Sequence, residues 1–155
     1  MNIGTAAFGG CESLTDIVVA ESNTMYDSRD NCNAIIETAT NTLIRGSKNT
    51  TIPDSVKSVG NHAFSFCKSL TAITIPDSIT SIEKDAFFFC LSLTSITIPN
   101  SVTNIRNGAF FFCSYLNTIR YDGTIAQWEA IKKGERWNEM AEAEVVHCID
   151  GDVKI

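Results

Sequence analysis

Hydrophobic positions recur at a fixed interval through the middle of this chain. One pattern occurs three times, as IPDSVKSVGNHAFSFCKSLTAIT, IPDSITSIEKDAFFFCLSLTSIT and IPNSVTNIRNGAFFFCSYLNTIR, in copies that begin at Ile52, Ile75 and Ile98. Each copy is 23 residues long. A period of this length is typical of solenoids, in which each unit is too small to bury its own apolar face and therefore stacks on its neighbours.

Each copy predicts two short extended segments joined by turns. The spacing Leu70-x-x-Ile73-x-Ile75 is that of a leucine-rich-repeat strand, and alternation places these three side chains inward. Pro76 follows, where it ends the strand without removing a central ladder bond. Residues 79–82 form the second extended segment on the far side of the coil. The predicted fold class is therefore a β-rich solenoid, a leucine-rich-repeat coil with 23-residue repeats.

The region before the three copies is less regular. Residues 3–19 match part of a copy, because the same glycine, phenylalanine, cysteine and leucine positions recur 56 residues later. The chain thus begins inside a repeat, so either it is a piece of a longer protein or its first coil is open to solvent. In residues 20–51, apolar runs at 34–36 and 42–44 flank a polar break and predict a hairpin with a five-residue loop. Residues 14–19 are strand-like.

The tail after the third copy has helical periodicity. Ile125, Trp128 and Ile131 share one helical face, Gly134 is expected to end the helix, and residues 145–149 have the character of a last strand followed by a turn. A segment of this kind at the end of a solenoid is what a cap requires. The prediction is a single repeat domain, 1–155, made of a partial repeat (3–19), an irregular hairpin unit (20–51), three regular repeats (52–120) and a C-terminal helix-plus-strand cap (121–155).

Composition restricts the possible partners. The 155 residues are 44% hydrophobic and 19% charged, with a net charge of −6 and a pI near 4.8. Nucleic acids need clustered Lys and Arg, so this balance predicts no nucleic-acid partner, and anionic membrane is disfavoured for the same reason. No apolar run is long enough for membrane insertion, and the N-terminus lacks the features of a signal peptide.

The repeats closely resemble the BspA-like leucine-rich repeats of bacterial surface proteins. The shared pattern is I-P-x-S-V/I-x-x-I-x-x-x-A-F-x-x-C-x-x-L-x-x-I, which covers 52–120 fully and 3–19 as a half copy. Segments 26–36 and 121–151 are also similar to segments that accompany such arrays. The resemblance implies a cell-surface or secreted location and non-catalytic binding or adhesion to a host or matrix protein or glycan. The alternative is a structural spacer or assembly segment of a longer surface protein, with no ligand of its own.

The six cysteines are the first candidates for chemistry. Four of them occupy one position of the repeat, and in neighbouring coils their Cβ atoms are expected to lie ~4.8 Å apart, farther than the ~3.8 Å of a disulfide. We therefore predict buried free thiols that act as small apolar fillers, with a disulfide and a metal site as alternatives. The cysteines are Cys11, Cys32, Cys67, Cys90, Cys113 and Cys148.

No group of residues predicts a reaction. His62 falls in a variable slot expected to be solvated, and the neighbours His147 and Cys148 would point to opposite faces of a strand. The sequence contains no Gly-rich phosphate loop, no G-x-S-x-G and no H-E-x-x-H. We therefore expect neither an enzyme nor a cofactor, and no metal site.

The open face of the predicted sheet is one candidate binding surface, since curved solenoids commonly bind there. Its residues are small and polar, and a merely solvated β-surface is the favoured interpretation. The candidates are Thr71, Thr74, Thr94, Thr97, Asn117 and Arg120.

A second candidate surface is aromatic. The two slots before each repeat cysteine hold Ser65-Phe66, Phe88-Phe89 and Phe111-Phe112, against Gly9-Gly10 in the partial copy. One phenylalanine of each pair could pack against the adjacent turn or the cap. The competing hypothesis is an apolar strip for protein contact or self-association, because exposed apolar patches mark contact sites. The strip would consist of Phe88 and Phe111, with Phe66, Phe89 and Phe112 partly buried.

Overall fold

The computed structural model describes residues 3–4, 7–8, 11 and 13–155, and shows a β-solenoid of about four turns. The predicted fold class is confirmed. The described elements are β1 (Tyr26–Asp27), a 3-10 helix (Arg29–Asn31), β2 (Ala34–Glu37), β3 (Thr42–Gly46), β4 (Ser58–Val59), β5 (Ser81–Ile82), β6 (Ser95–Ile98), β7 (Asn104–Ile105), β8 (Thr118–Tyr121), α1 (Ile125–Ala130), β9 (Lys132–Lys133), β10 (Val145–Cys148) and β11 (Gly151–Lys154).

Two sheets run along the solenoid. One has the order β1-β2-β3-β4-β5-β7-β9, and the other has the order β11-β10-β8-β6. Successive coils pair in parallel in both sheets, as in Ser58 with Ser81 and Ser81 with Asn104. The strand expected at residues 70–75 is reduced to a single bridge between Thr74 and Thr97. Among the described residues no strand lies on its other side, so this segment is an edge with only one partner.

The core contains a pile of phenylalanine rings, one from each regular repeat. Phe64, Phe87 and Phe110 are fully buried, and successive ring centroids lie 5.0 and 5.2 Å apart with interplanar angles of 2° and 7°. Trp137 packs edge-on against Phe110 at one end. Gly46 lies at the other end, where a Cβ atom would come within 2.1 Å of the Phe64 ring. The predicted stacking of the repeats is thus confirmed.

The irregular unit contains the predicted hairpin. Strands β2 and β3 are antiparallel with a bulge between Ile35 and Ile36. The loop is residues 38–41, one residue shorter than predicted, because Glu37 still pairs with Thr42 in the ladder. Strand β1 adds to the free side of β2.

Residues 14–19 were expected to be strand-like, and the structure assigns no strand there. Two backbone N–H groups of this segment donate to side chains rather than to a neighbouring strand. Ile17 donates to Asn33 Oδ1 at 2.6 Å, and Val19 donates to Ser28 Oγ at 2.9 Å. Phe8 and other apolar residues of this region form a second small cluster rather than extending the phenylalanine pile.

The tail forms the predicted helix and strand, and adds a further turn of coil. Thr124 and Gln127 make a reciprocal capping box at the start of α1. The helix ends at Ala130 rather than at Gly134, because Ile131 is extended and the next two residues form β9 on the seven-stranded sheet. Gly134 is required by a close approach instead, since a Cβ atom there would lie 2.3 Å from the Asn107 nitrogen.

The strand expected at residues 145–149 ends one residue earlier, at Cys148, and a further strand follows the turn. The turn is at Ile149 and Asp150, while Gly151 and Asp152 begin β11, which pairs antiparallel with β10. None of the helices in the described part of the chain combines the length and the apolar character needed to cross a membrane.

Candidate binding surface

The five outer phenylalanines are brought together at one edge of the solenoid. We call them the phenylalanine surface. Each is half-buried, and neighbouring rings are in contact, with centroids 5.3 to 5.7 Å apart along the rows. The surface consists of Phe66, Phe88, Phe89, Phe111 and Phe112.

The backbone holds one row of these rings in an unusual conformation. Phe66, Phe89 and Phe112 have φ values of 59°, 62° and 59°, in the left-handed region that bulky residues rarely adopt. Phe66 N donates to Phe88 O at 2.8 Å in the next coil, and Phe89 N donates to Phe111 O at 3.0 Å. These bonds tie the turn of each coil to the next one and fix where the rings project.

Glycine would be the favoured residue for such a turn, because it has no Cβ atom to strain. The partial copy indeed has a glycine at this position, but Gly9 and Gly10 lie outside the described residues. A phenylalanine in the left-handed region costs on the order of 1–3 kcal/mol. Each regular repeat therefore carries a ring at a position where the backbone alone would favour glycine.

A groove of about 390 Å³ runs along the phenylalanine surface, across all the regular coils. Phe66, Phe88 and Phe111 form its apolar wall. The opposite wall is a second column of left-handed residues, which the sequence did not single out as functional. This column consists of His62, Asp85, Gly108 and Arg136, with φ values of 56°, 54°, 64° and 56°.

Charges of both signs border the groove. The Arg136 guanidinium lies 4.0 Å from the centroid of the Phe111 ring and binds Glu139 at 2.6 Å. His62, expected to be solvated, is half-buried and places Nε2 3.8 Å from Asp85 Oδ2. An apolar centre with a charged rim is the usual composition of a protein interface.

The sheet-face candidates lie apart from the rings, along the edge segment, β6 and β8. Most of them are exposed, whereas Thr97 is half-buried. The Thr94 hydroxyl makes a hydrogen bond within the protein: Oγ1 donates to Thr71 O of the preceding coil at 3.5 Å. This face offers small polar groups without an aromatic anchor. The exposed members are Thr71, Thr74, Thr94, Asn117 and Arg120.

The repeat cysteines are buried, but they are more than apolar fillers. Cys90 Sγ donates to Phe64 O at 3.1 Å, and Cys113 Sγ donates to Phe87 O at 3.0 Å. Each thiol thus binds the carbonyl of a core phenylalanine in the preceding coil. All six cysteines are free thiols, and Cys11 is exposed, unlike the others of its column.

Burial governs the ionisation of these thiols. Desolvation raises the pKa of Cys67, and it raises the pKa of Cys90 well above its usual range. Such thiols stay protonated at neutral pH, so they are poor nucleophiles and poor metal ligands. Among residues 3–4, 7–8, 11 and 13–155, no three His, Cys, Asp or Glu side chains are grouped as a metal site requires.

Comparison with known proteins gives one family and two related folds. The model of the BspA type leucine rich repeat region (6 copies) matches residues 43–131. A leucine rich cell surface protein from Faecalibacterium prausnitzii A2-165 is 26% identical, with 81% of this chain and 46% of that chain covered and a TM-score of 0.40. A leucine-rich repeat protein from Bacteroides ovatus ATCC 8483 is 22% identical, with 86% and 37% covered and a TM-score of 0.55.

This chain therefore spans less than half the length of either solved relative. No curated protein matches it.

Proposed function

The chain belongs to the BspA-type leucine-rich-repeat family, whose members are interaction or structural modules, and from that premise we propose that it is a non-catalytic binding module. It acts within a bacterial surface or secreted protein, and its partner is a protein of the host or of the matrix. The phenylalanine surface is the observation that supports this proposal.

The five outer rings are not needed to fill the core. The inner pile of Phe64, Phe87 and Phe110 already does so with no exposed area, whereas the outer rings remain half-buried. Aromatic residues next to arginine are the residue types that contribute most at protein interfaces. Every regular repeat has a phenylalanine on a left-handed backbone, where glycine would cause less strain. Contact with a partner best explains why rings are present there.

A protein fits this surface better than a glycan does. Sugar rings bind by stacking on flat, open aromatic faces, and the outer rings here are tilted against each other by 36° for Phe88 and Phe111 and by 55° for Phe89 and Phe112. Arg136 already covers one face of Phe111. Apolar and charged side chains of a protein can occupy a groove of this shape.

The proposal is tested by removing the two central rings of the groove. We expect Phe88→Ser/Phe111→Ser to weaken saturable binding of the isolated chain at least about tenfold, the loss typical of an interface hot spot. Binding is measured by surface plasmon resonance against immobilised matrix proteins and glycans, with circular dichroism to verify the fold.

The matched control is Thr94→Ala/Asn117→Ala on the sheet face, which should bind as the unchanged chain does. Unaltered affinity of the phenylalanine variant would refute the proposed site, and saturable binding to glycans alone would refute the protein partner. Self-association is examined with the same variants by analytical ultracentrifugation.

A structural spacer is the second candidate. The plain sheet face, which has small polar groups and no aromatic anchor, favours it. A spacer predicts no saturable partner for the isolated chain, so the same binding screen separates the two candidates.

A further inference from the structure

A larger cavity adjoins the groove at the first regular coil. Its volume is about 720 Å³, within the range of ligand-binding pockets. The two cavities share His62 and Phe66 in their walls. Ile3, Phe8 and Ile44 make much of the remaining wall apolar. One extended segment could therefore occupy both spaces.

Arg45 lies in the wall of this cavity and is 5% exposed. One of its terminal nitrogens donates to Ser65 O at 2.9 Å and lies 3.4 Å from His62 O, and the other donates to Cys67 Sγ at 3.7 Å. All of these acceptors are uncharged. Its Nε–H has no acceptor among the described residues. Within the described part of the chain no carboxylate is within ion-pair distance of Arg45.

A buried charge without a counter-ion is expensive, on the order of several kcal/mol even after relaxation. The Phe8 ring, with its centroid 5.9 Å from the guanidinium carbon, is at the limit of a useful cation–π distance and compensates little. The described part of the cavity wall contains one carboxylate, Glu83, which is occupied by the Ser81 hydroxyl and by Arg106. The cavity therefore contains an uncompensated positive charge between apolar walls.

We infer that this cavity receives a carboxylate of the partner protein, an Asp or Glu side chain whose apolar neighbour enters the phenylalanine groove. This inference rests on the proposed function, and it specifies the chemistry of the partner segment. A carboxylate supplies both the missing counter-charge and an acceptor for the guanidinium. The whole chain carries a net charge of −6, so the attraction for a carboxylate is local to Arg45. Because Arg45 is buried, salt screens this attraction little.

The test uses two peptides that differ by one carboxylate, acetyl-Phe-Glu-amide and acetyl-Phe-Gln-amide. Binding is followed by ¹H–¹⁵N NMR through the Nε–Hε resonance of Arg45. We expect the Glu peptide to shift that resonance saturably and to bind about tenfold more tightly than the Gln peptide, as a charged hydrogen bond predicts. Raising the salt from about 50 to about 300 mM, which shortens the Debye length about 2.4-fold, should change the affinity less than about twofold.

Arg45→Met keeps the aliphatic stem of the side chain and should abolish the preference between the peptides, whereas Arg120→Met, at an exposed arginine that does not line the cavity, should retain it. The peptide pair on the unchanged chain remains decisive if Arg45→Met does not fold. Equal affinity of the two peptides, or an Arg45 resonance that neither peptide shifts, overturns the inference. Binding of 3-phenylpropionate at Arg45 with no response to either peptide identifies a small-acid site and overturns the assignment to a protein segment.

The two proposals fail in different ways. If Phe88→Ser/Phe111→Ser loses a protein partner while the two peptides bind equally, only the carboxylate assignment is wrong. If the Glu peptide is preferred at Arg45 and no protein binds saturably, the proposed function is wrong.

Discussion

Phenylalanine has two distinct roles in each repeat, two residues apart. The first ring, as in Phe87, lies flat in the buried pile and contributes to stability. The second ring, as in Phe89, is half-buried on a left-handed backbone and packs against its equivalents in other coils. Glycine at the second position would relieve the backbone strain. The contacts of the ring therefore explain best why a phenylalanine is found there.

The buried thiols make stability depend on pH. Burial raises the pKa of Cys67 and Cys90, so the folded state keeps its thiol protons to a higher pH than the unfolded chain does. The unfolded chain therefore binds fewer protons above about pH 8.5, and the free energy of unfolding falls as pH rises from there toward the raised pKa values. We expect a slope of up to about 1.4 kcal/mol per pH unit for each thiol.

Urea unfolding under reducing conditions at a series of alkaline pH values measures this slope. Cys67→Ala/Cys90→Ala should flatten it, while Cys11→Ala, at an exposed thiol, should leave it unchanged. An identical slope in the double variant would show that the thiols do not cause it.

At the scale of the elements, the turns between the sheets depend on left-handed residues. Gly108 has a φ of 64°, and a Cβ atom there would lie 2.2 Å from Asp85 Oδ1. Gly108→Ala is therefore expected to destabilise the protein by more than about 1 kcal/mol, through backbone strain and the displaced carboxylate.

Gly4→Ala is the matched control, because a Cβ atom at Gly4 has no neighbour within 4 Å among the described residues. Its effect should be within about 0.5 kcal/mol. Thermal unfolding of both variants makes the comparison, and equal melting temperatures would contradict the role of Gly108.

The elements that could be predicted are those whose residues repeat or alternate. Buried positions such as Ile73 and Ile75 follow from alternation alone, although only a bridge forms there. The end of α1 at Ala130 and the absence of a strand at residues 14–19 depend on partners from distant parts of the chain, β7 in one case and Asn33 in the other. A local pattern has no information about such partners.

The same distinction applies to the candidate site. The five outer phenylalanines were identifiable because two adjacent slots of the repeat hold aromatic residues where the partial copy has glycines. Arg136 and Arg45 were not, because each belongs to an irregular segment whose contact with the repeats appears only when the coils stack. The sequence gives the number of these charges, but it does not give their positions in the fold.

At the scale of the molecule, stability depends on an uninterrupted core from Gly46 to Trp137. Phe87 lies at its centre, with a ring stacked on each side. Since solenoid coils are stabilised mainly by their nearest neighbours, Phe87→Ala should lower the free energy of unfolding by about 3–5 kcal/mol.

Phe88→Ala, the adjacent half-buried ring, is the control and should cost less than half as much. Chemical denaturation monitored by circular dichroism gives both values. Equal losses would mean that the inner pile has no special part in holding the coils together.

The second and third regular repeats bring equivalent rings, Phe88 and Phe111, to the groove 23 residues apart in the chain. Duplicating one 23-residue unit would lengthen the aromatic wall by one strand spacing, ~4.8 Å, and leave its cross-section unaltered. Gene duplication can therefore lengthen this surface in equal steps, without changing any individual side chain.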